Sequence, residues 1–537
     1  MRPRNSLLAV LGASLLCAGT LSTPAAAQTM PAQPEPVEVN GARQLDDVIP
    51  APVETHPNED TDFWLSPVTQ IRTEPGSEKA AQIGQYLAEQ LRPATGYPLP
   101  VNNAENSVLP AISLELGNDI PEIGDQGYTY EADHQGVVVE ANTADGLFNG
   151  AQTLRQLLPS AIEADSIQSQ IWTLPGGKIV DYPRTSYRGA MLDLARHFHG
   201  LGEIKTYIDE IAQYKINYLH VHLTDDQGWR IQIDSWPNLA PVGGGPGTGV
   251  DGVGGGYLTK QEYKELVAYA QSRHITVVPE IDMPGHVRAA MSTYAKLNCD
   301  GVAPEPRTDI EVGYSSLCID KEITYEFVSD VIEEVAEMTP GPYIHIGGDE
   351  AHSTTAEDYR TFMNKVVPMV RANGKRAMGW QEISAVEPPE SVVPQYWDPN
   401  GDPSDVVDAA ENGNKILMSP ADRAYVDQKY NEDTDLGLSW AGPTTVKESY
   451  SWDPAETVDG IGEDDILGVE AELFSETLRS IDDIEFMAFP RLPAIAEIGW
   501  SPKSSHDWES FAGRLADQGE RWQQQGINFY RSPQIDW

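Results

Sequence analysis

From about residue 184 the chain alternates strand, helix, strand, and this rhythm constrains the fold more than any other feature. The strand candidates are RGAMLDL (188–194), NYLHVHL (217–223), ITVVPEI (275–281), YIHIG (343–347), RAMGW (376–380), VVPQYW (392–397), KILMS (415–419) and ILGVEAELF (466–474). Helical patterns such as TKQEYKELVAYAQSR and TAEDYRTFMNKVVPMVRANG separate most of them. Strands joined by helices pair in parallel. Eight such units close into a (β/α)8 TIM barrel, and residues 184–537 are long enough for one with insertions. The expected fold class is therefore α/β.

Residues 46–183 read differently. AAQIGQYLAEQLRPATG predicts a helix ended by Pro93 and Gly96, and GLFNGAQTLRQLLPS predicts a second helix. AISLEL, GYTYEA and GVVVEAN predict strands. Together they make a small α+β domain ahead of the barrel. Residues 28–45, rich in Pro, Glu and Gln, read as a flexible linker. Residues 1–27 read as a signal peptide: Arg2 and Arg4, the apolar run Leu7 to Leu16, then Ala25-Ala26-Ala27 before Gln28. That is the basic, apolar, small-residue order of an export signal, and the apolar run is too short to span a bilayer. A secreted or periplasmic location is expected.

Charge removes some partners. With 36 Lys+Arg against 82 Asp+Glu, the net charge is −46. Such a surface repels phosphate backbones and anionic lipid heads, so neither nucleic acid nor membrane is an expected partner. After export only Cys299 and Cys318 remain of three cysteines. An even pair in an exported chain points to a disulfide stapling the irregular segment between them. The Gly-rich stretch 243–256 lacks the Lys-Ser/Thr ending and the strand-to-helix setting of a phosphate loop.

In barrels of this kind the chemistry sits at the C-terminal ends of the strands. Polar and aromatic residues gather at those ends here: Asp193 and Arg196; Thr224, Asp225, Asp226 and Trp229; Glu280, Asp282 and His286; Asp349 and Glu350; Trp380; Trp397; Tyr425 and Asp427, with Trp440 beyond; Phe474 and Glu476. Trp229 and Trp236 are read as core. The pair His220-x-His222 admits a rival reading, a metal-dependent barrel hydrolase, with His286, His345 and His352 as further ligands. That reading lacks a lysine or aspartate ligand set. A sugar-binding protein without catalysis is the other rival.

YRGAMLDLARHF, KINYLHVHLTDDQGWR, VVPEIDMPGH, IHIGGDE and GVEAELFSETL together resemble the motif series of family 20 glycoside hydrolases, the β-N-acetylhexosaminidases. GLFNGAQTLRQLLP in the small domain resembles the same family. The resemblance implies a cofactor-free and metal-free enzyme acting on small N-acetylhexosaminide substrates. It implies Glu350 as general acid and base, and Asp349 as the residue orienting the 2-acetamido group. It gives Arg196 and Glu476 the sugar hydroxyls, Asp225 and His286 the support of the acid, and Tyr425 the acetamido carbonyl. Asp427 would take a sugar hydroxyl, Trp380 and Trp397 would wall the acetamido pocket, and Trp440 would stack on the ring. Phe474 departs from the pattern, because the family usually places Trp there as a third wall. A variant releasing a disaccharide, a lacto-N-biosidase, stays open within the same resemblance.

Overall fold

The structure is a computed structural model that describes residues 43–103, 109–117, 119–385 and 392–537. The expected signal peptide and residues 28–42 of the expected linker lie outside the described residues. Residues 43–45 belong to the folded body. Arg43 pairs with Asp517 at 3.0 Å, and Leu45 is buried.

The small domain is a seven-stranded mixed sheet with the order Glu54–Pro57, Gly177–Asp181, Tyr128–Asp133, Gly136–Ala141, Ala111–Leu116, Gln70–Thr73, Val101–Asn102. The strand Gly136–Ala141 alternates as its sequence demands, burying Val137, Val139 and Ala141. Helices Glu78–Thr95 and Ala144–Leu157 pack on the sheet. Ser77 caps the first by accepting the Ala80 N–H, and Gly96 ends it in the left-handed region at φ 66°. Pro93 was expected to end this helix and instead lies inside it. Its missing N–H costs one bond near the end. Burial of Leu91, Ala94 and Thr95 around it keeps the last turn helical.

The eight expected strands form a closed parallel barrel: β1 Tyr187–Asp193, β2 Tyr218–His222, β3 Thr276–Glu280, β4 Tyr343–His345, β5 Arg376–Trp380, β6 Val392–Tyr396, β7 Ile416–Met418 and β8 Ile466–Ala471. β8 pairs with β1 in the register Tyr187↔Gly468 and closes the ring. Several expected strands overran their C-terminal ends, because the chain there leaves the ladder to form the site loops. Helices cover the barrel outside, among them Lys260–Gln271, whose Thr259 and Glu262 form a capping box. Among the described residues no α-helix joins β5 to β6.

The barrel interior is layered. Near the N-terminal end, Tyr187, Val278, Met378, Val393, Leu417 and Leu467 make an apolar plug. Above it lies a buried polar layer with His220, Glu280, His345, Gln395 and Glu470. Gly189 on β1 makes room for this layer, since a Cβ there would lie 2.1 Å from Glu470 Oε2. Trp229 and Trp236 are core, as expected.

A buried polar seam joins the two domains. Asp181 accepts from Tyr128 Oη at 2.7 Å in its own domain and from Trp500 Nε1 at 3.0 Å in the barrel. Glu163 pairs with Arg155 on one side and with Arg521, in the last helix Trp508–Gln525, at 2.9 Å on the other. No helix among the described residues is long and apolar enough to cross a membrane.

Candidate active site

The turn after β4 shapes the site. Gly347 and Gly348 take φ of 63° and 105°, and Glu350 itself takes 44°. A Cβ on Gly347 would lie 1.7 Å from Asp282 Oδ1, so only glycine lets β4 run this close to the loop after β3. The Gly348 N–H donates to Asp282 Oδ1 at 3.1 Å. The turn thus throws Asp349 and Glu350 together into a cavity of about 710 Å3 at the C-terminal mouth of the barrel.

His286 stands behind both carboxylates. Its Nε2 lies 3.4 Å from Asp349 Oδ2 and 3.5 Å from Glu350 Oε2. Its Nδ1 donates to Asp225 Oδ1 at 3.1 Å. Burial opposes the charge on His286, but Asp225, Asp349 and Asp282 outweigh it and hold the imidazolium well above the usual histidine range. Asp225 Oδ2 also pairs with Arg196 Nη2 at 2.9 Å. The second guanidinium nitrogen lies 3.5 Å from Asp193. Asp193 in turn accepts from Ser475 N–H and Oγ at 3.0 and 3.1 Å, tying the end of β1 to the chain beyond β8. Arg196 is thus both the structural ion-pair partner of Asp193 and a lining residue of the cavity.

Asp349 is pushed up to about 6. Burial is the chief cause; His286 counters it, and Glu350 adds to it. Deeper in the cavity, burial raises both Asp427 and Glu476; Glu476 adds to the rise of Asp427, while Arg196 pulls Glu476 back. Carboxyl oxygens accept hydrogen bonds from several sides, which suits sugar hydroxyls.

The aromatic residues complete the cavity. Trp380 is almost wholly buried and donates its indole N–H to Glu280 at 3.0 Å. Trp397 donates to Glu382 at 3.2 Å. Phe474 lies 6.1 Å from Trp380 and 5.6 Å from Tyr425, with the Arg196 guanidinium 5.1 Å from its ring. Trp440 meets Trp397 and Tyr425 edge-on at the mouth and is 51% exposed. All ten expected substrate-binding residues and both expected catalytic residues line this one cavity.

Cys299 and Cys318 are bridged. The stapled segment carries Ile310, Glu311 and Val312 to the cavity mouth, a contribution that sequence reading did not assign. Glu382 was missed as well. Burial lifts it to about 8, with Asp349 adding to the effect, and only its place two residues beyond Trp380 hinted at it. His220 and His222 point into the barrel as alternation implied, but they face carboxylates. Burial works against their charge, yet Glu470 and Glu280 raise His220 well above the usual histidine range, and Glu280 and Asp225 raise His222 to about 9.

Comparison with known proteins agrees with this geometry. The model of the glycosyl hydrolase family 20 catalytic domain matches residues 185–360 and 352–503, and that of the family's domain 2 matches residues 46–182. A β-N-acetylhexosaminidase of Cellulomonas fimi is 38% identical over 490 residues, covering 91% of this chain and 97% of that protein. The family 20 β-N-acetylhexosaminidase of Streptomyces coelicolor A3(2) superposes with a TM-score of 0.89 at 50% identity, over 92% of this chain and 99% of that one. A Streptomyces plicatus β-hexosaminidase variant solved with its product GlcNAc gives 0.89 at 52% identity, over 94% and 99%. A barrel whose strand ends gather two adjacent carboxylates, a supporting imidazolium and an aromatic-walled pocket, in a chain matched along both domains, belongs to glycosyl hydrolase family 20, the β-N-acetylhexosaminidases.

Proposed function

We propose that the enzyme removes terminal non-reducing β-linked GlcNAc or GalNAc with retention, through an oxazolinium intermediate formed by the substrate's own acetamido group. One observation carries this reading: Asp349 and Glu350 both lie within 3.5 Å of the same nitrogen of His286. An ordinary retaining pair divides between the two faces of the sugar, one carboxylate as acid and one as nucleophile. Two neighbours sharing one imidazolium sit on one wall, which leaves the nucleophile to come from the substrate.

In this mechanism Glu350 protonates the leaving oxygen and later takes a proton from water. Asp349 orients the acetamido N–H and balances the charge that develops on nitrogen as the acetamido oxygen attacks the anomeric carbon. Trp380 and Trp397 hold the methyl group, and the Tyr425 hydroxyl donates to the acetamido carbonyl. Arg196, Asp427 and Glu476 fill the deep end with hydrogen-bonding groups for the far hydroxyls. That favours release of one sugar over two. Trp440, exposed at the mouth beside Ile310 and Val312, suits the leaving group better than the ring of the cleaved sugar. The N-terminal pattern of residues 1–27 supports export of the enzyme.

The test compares an aryl β-N-acetylglucosaminide with the aryl β-glucoside that lacks the 2-acetamido group. The first should be cleaved and the second left nearly untouched. Equal cleavage of both would defeat the mechanism.

A further inference from the structure

Glu280 ends β3 inside the barrel with no exposed surface, and it is not itself among the residues that line the cavity. Four nitrogen atoms from three strands converge on its two oxygens. His222 Nδ1 donates to Oε2. Trp380 Nε1 donates to Oε1 at 3.0 Å. His345 Nδ1 lies 2.9 Å from Oε1, and His220 Nε2 lies 3.1 Å from Oε2. Burial alone would push this carboxyl up; the histidines around it outweigh burial and keep it ionised. A buried anion held this way is a fixed point, since moving it strands the buried donors of His222 and Trp380 at once.

Two of those partners lead to the active site by separate routes. His222 donates from its other nitrogen to Asp225 Oδ2 at 2.8 Å. Asp225 holds His286, and His286 faces Asp349 and Glu350. Trp380 is the buried wall of the same cavity. One route ends at the group that moves the proton. The other ends at the wall against which the acetamido group would rest. The reaction needs both in register, because the acetamido oxygen must reach the anomeric carbon while the acid reaches the leaving oxygen.

We infer that Glu280 is a positioning residue that sets the general acid and the acetamido wall relative to each other. The inference rests on the substrate-assisted reading above. A carboxylate that only neutralised charge in the barrel core would act differently: its loss would lower stability, and activity would fall by one factor on every substrate.

The experiment uses the full-length enzyme carrying Glu280→Gln, which keeps the shape and removes the charge. kcat and KM are measured on aryl β-N-acetylglucosaminides with good and poor leaving groups, together with inhibition by GlcNAc-thiazoline, a mimic of the oxazolinium. Loss of register predicts a kcat lower by about tenfold for the best leaving group and about 100-fold for the poorest, with thiazoline binding about tenfold weaker. An equal loss on all substrates, a change in only one of the two readouts, or wild-type behaviour overturns the inference. If Glu280→Gln does not fold, His222→Asn and Trp380→Phe carry the test, because each cuts one route. Their combined effect should be non-additive, as both act through one carboxylate, and additive losses overturn the proposal. The aryl β-glucoside control stays separate: its rapid cleavage by wild type defeats the substrate-assisted mechanism and leaves the non-additivity result to be read on its own.

Discussion

Asp282 and Asp349 hold carboxylate oxygens within 4.8 Å of each other at the foot of the catalytic turn, so the two carboxyls share a space that favours only one negative charge. Burial, with Asp349 next, raises Asp282 well above the carboxylate range, which leaves the charge to Asp349.

The acid limb of activity follows from that pair. Asp349 is raised to about 6, so its anion is lost as pH falls through that value. kcat/KM should drop below about pH 6, and Asp349→Asn should abolish this limb. Stability runs the other way. A carboxyl raised in the folded state binds its proton more tightly there than in the unfolded chain, so its ionisation weakens the fold as pH rises from about 4 to 6. A pH series of kcat/KM beside thermal melts reads both slopes.

Removing either catalytic carboxylate should separate the two roles. Asp349→Asn takes away an anion aimed at developing positive charge, and turnover should fall about 100- to 1000-fold on all N-acetyl substrates. Glu350→Gln should spare substrates with good leaving groups and cripple those with poor ones, because protonation matters most there. Steady-state kinetics on a leaving-group series distinguishes them.

His222 should make the fold alkali-sensitive. Burial opposes its charge, but Glu280 and Asp225 raise it to about 9. A histidine raised above its unfolded value of about 6.5 contributes stability that is complete below that pH and lost as pH climbs through 9. The melting temperature should fall across this window, and less steeply in His222→Gln.

Phe474 should loosen the acetamido site. Its ring stands among Trp380, Tyr425 and Arg196, where the family usually has the larger indole. Wild type should accept N-propionyl aryl glycosides to a measurable degree. Phe474→Trp should raise the N-acetyl over N-propionyl ratio, and an unchanged ratio would place Phe474 off the acetamido group.

The bridge between Cys299 and Cys318 closes a separation of 19 residues. By loop entropy it should stabilise the enzyme by about 3 kcal/mol. Mass spectrometry should find both cysteines alkylated only after reduction. Reduced enzyme should show a higher KM for oligosaccharides than for aryl glycosides, because Ile310 and Val312 ride on the stapled segment.

Much of this was legible in the residues. The eight strands and the carboxylate pair stood out because parallel strands carry long apolar runs and barrel sites collect at strand ends. His220 and His222 were placed on the right face but left without partners, with a metal site as a rival reading, since alternation tells where a side chain points and not what faces it. Glu280 supplies that missing information from the neighbouring strand, and the pairing of β2 with β3 brings it 3.1 Å from His220. Ile310 and Val312 were invisible for a different reason: an irregular loop has no period, so nothing in its spelling tells which way it folds back. Pro93 misled because local preference lost to burial of the helix around it.

The seam between the domains has a consequence for how the enzyme fails. Every described residue lining the cavity comes from beyond position 183, so among the described residues the small domain makes no part of the specificity pocket. Yet it holds Asp181 and Glu163 against Trp500 and Arg521, and detaching it would leave buried charges without partners, a cost of several kcal/mol. The two domains should therefore melt in one calorimetric transition, with no separately folded barrel left behind. Substitutions in the small domain would then change how many enzyme molecules persist and leave untouched what each of them cleaves.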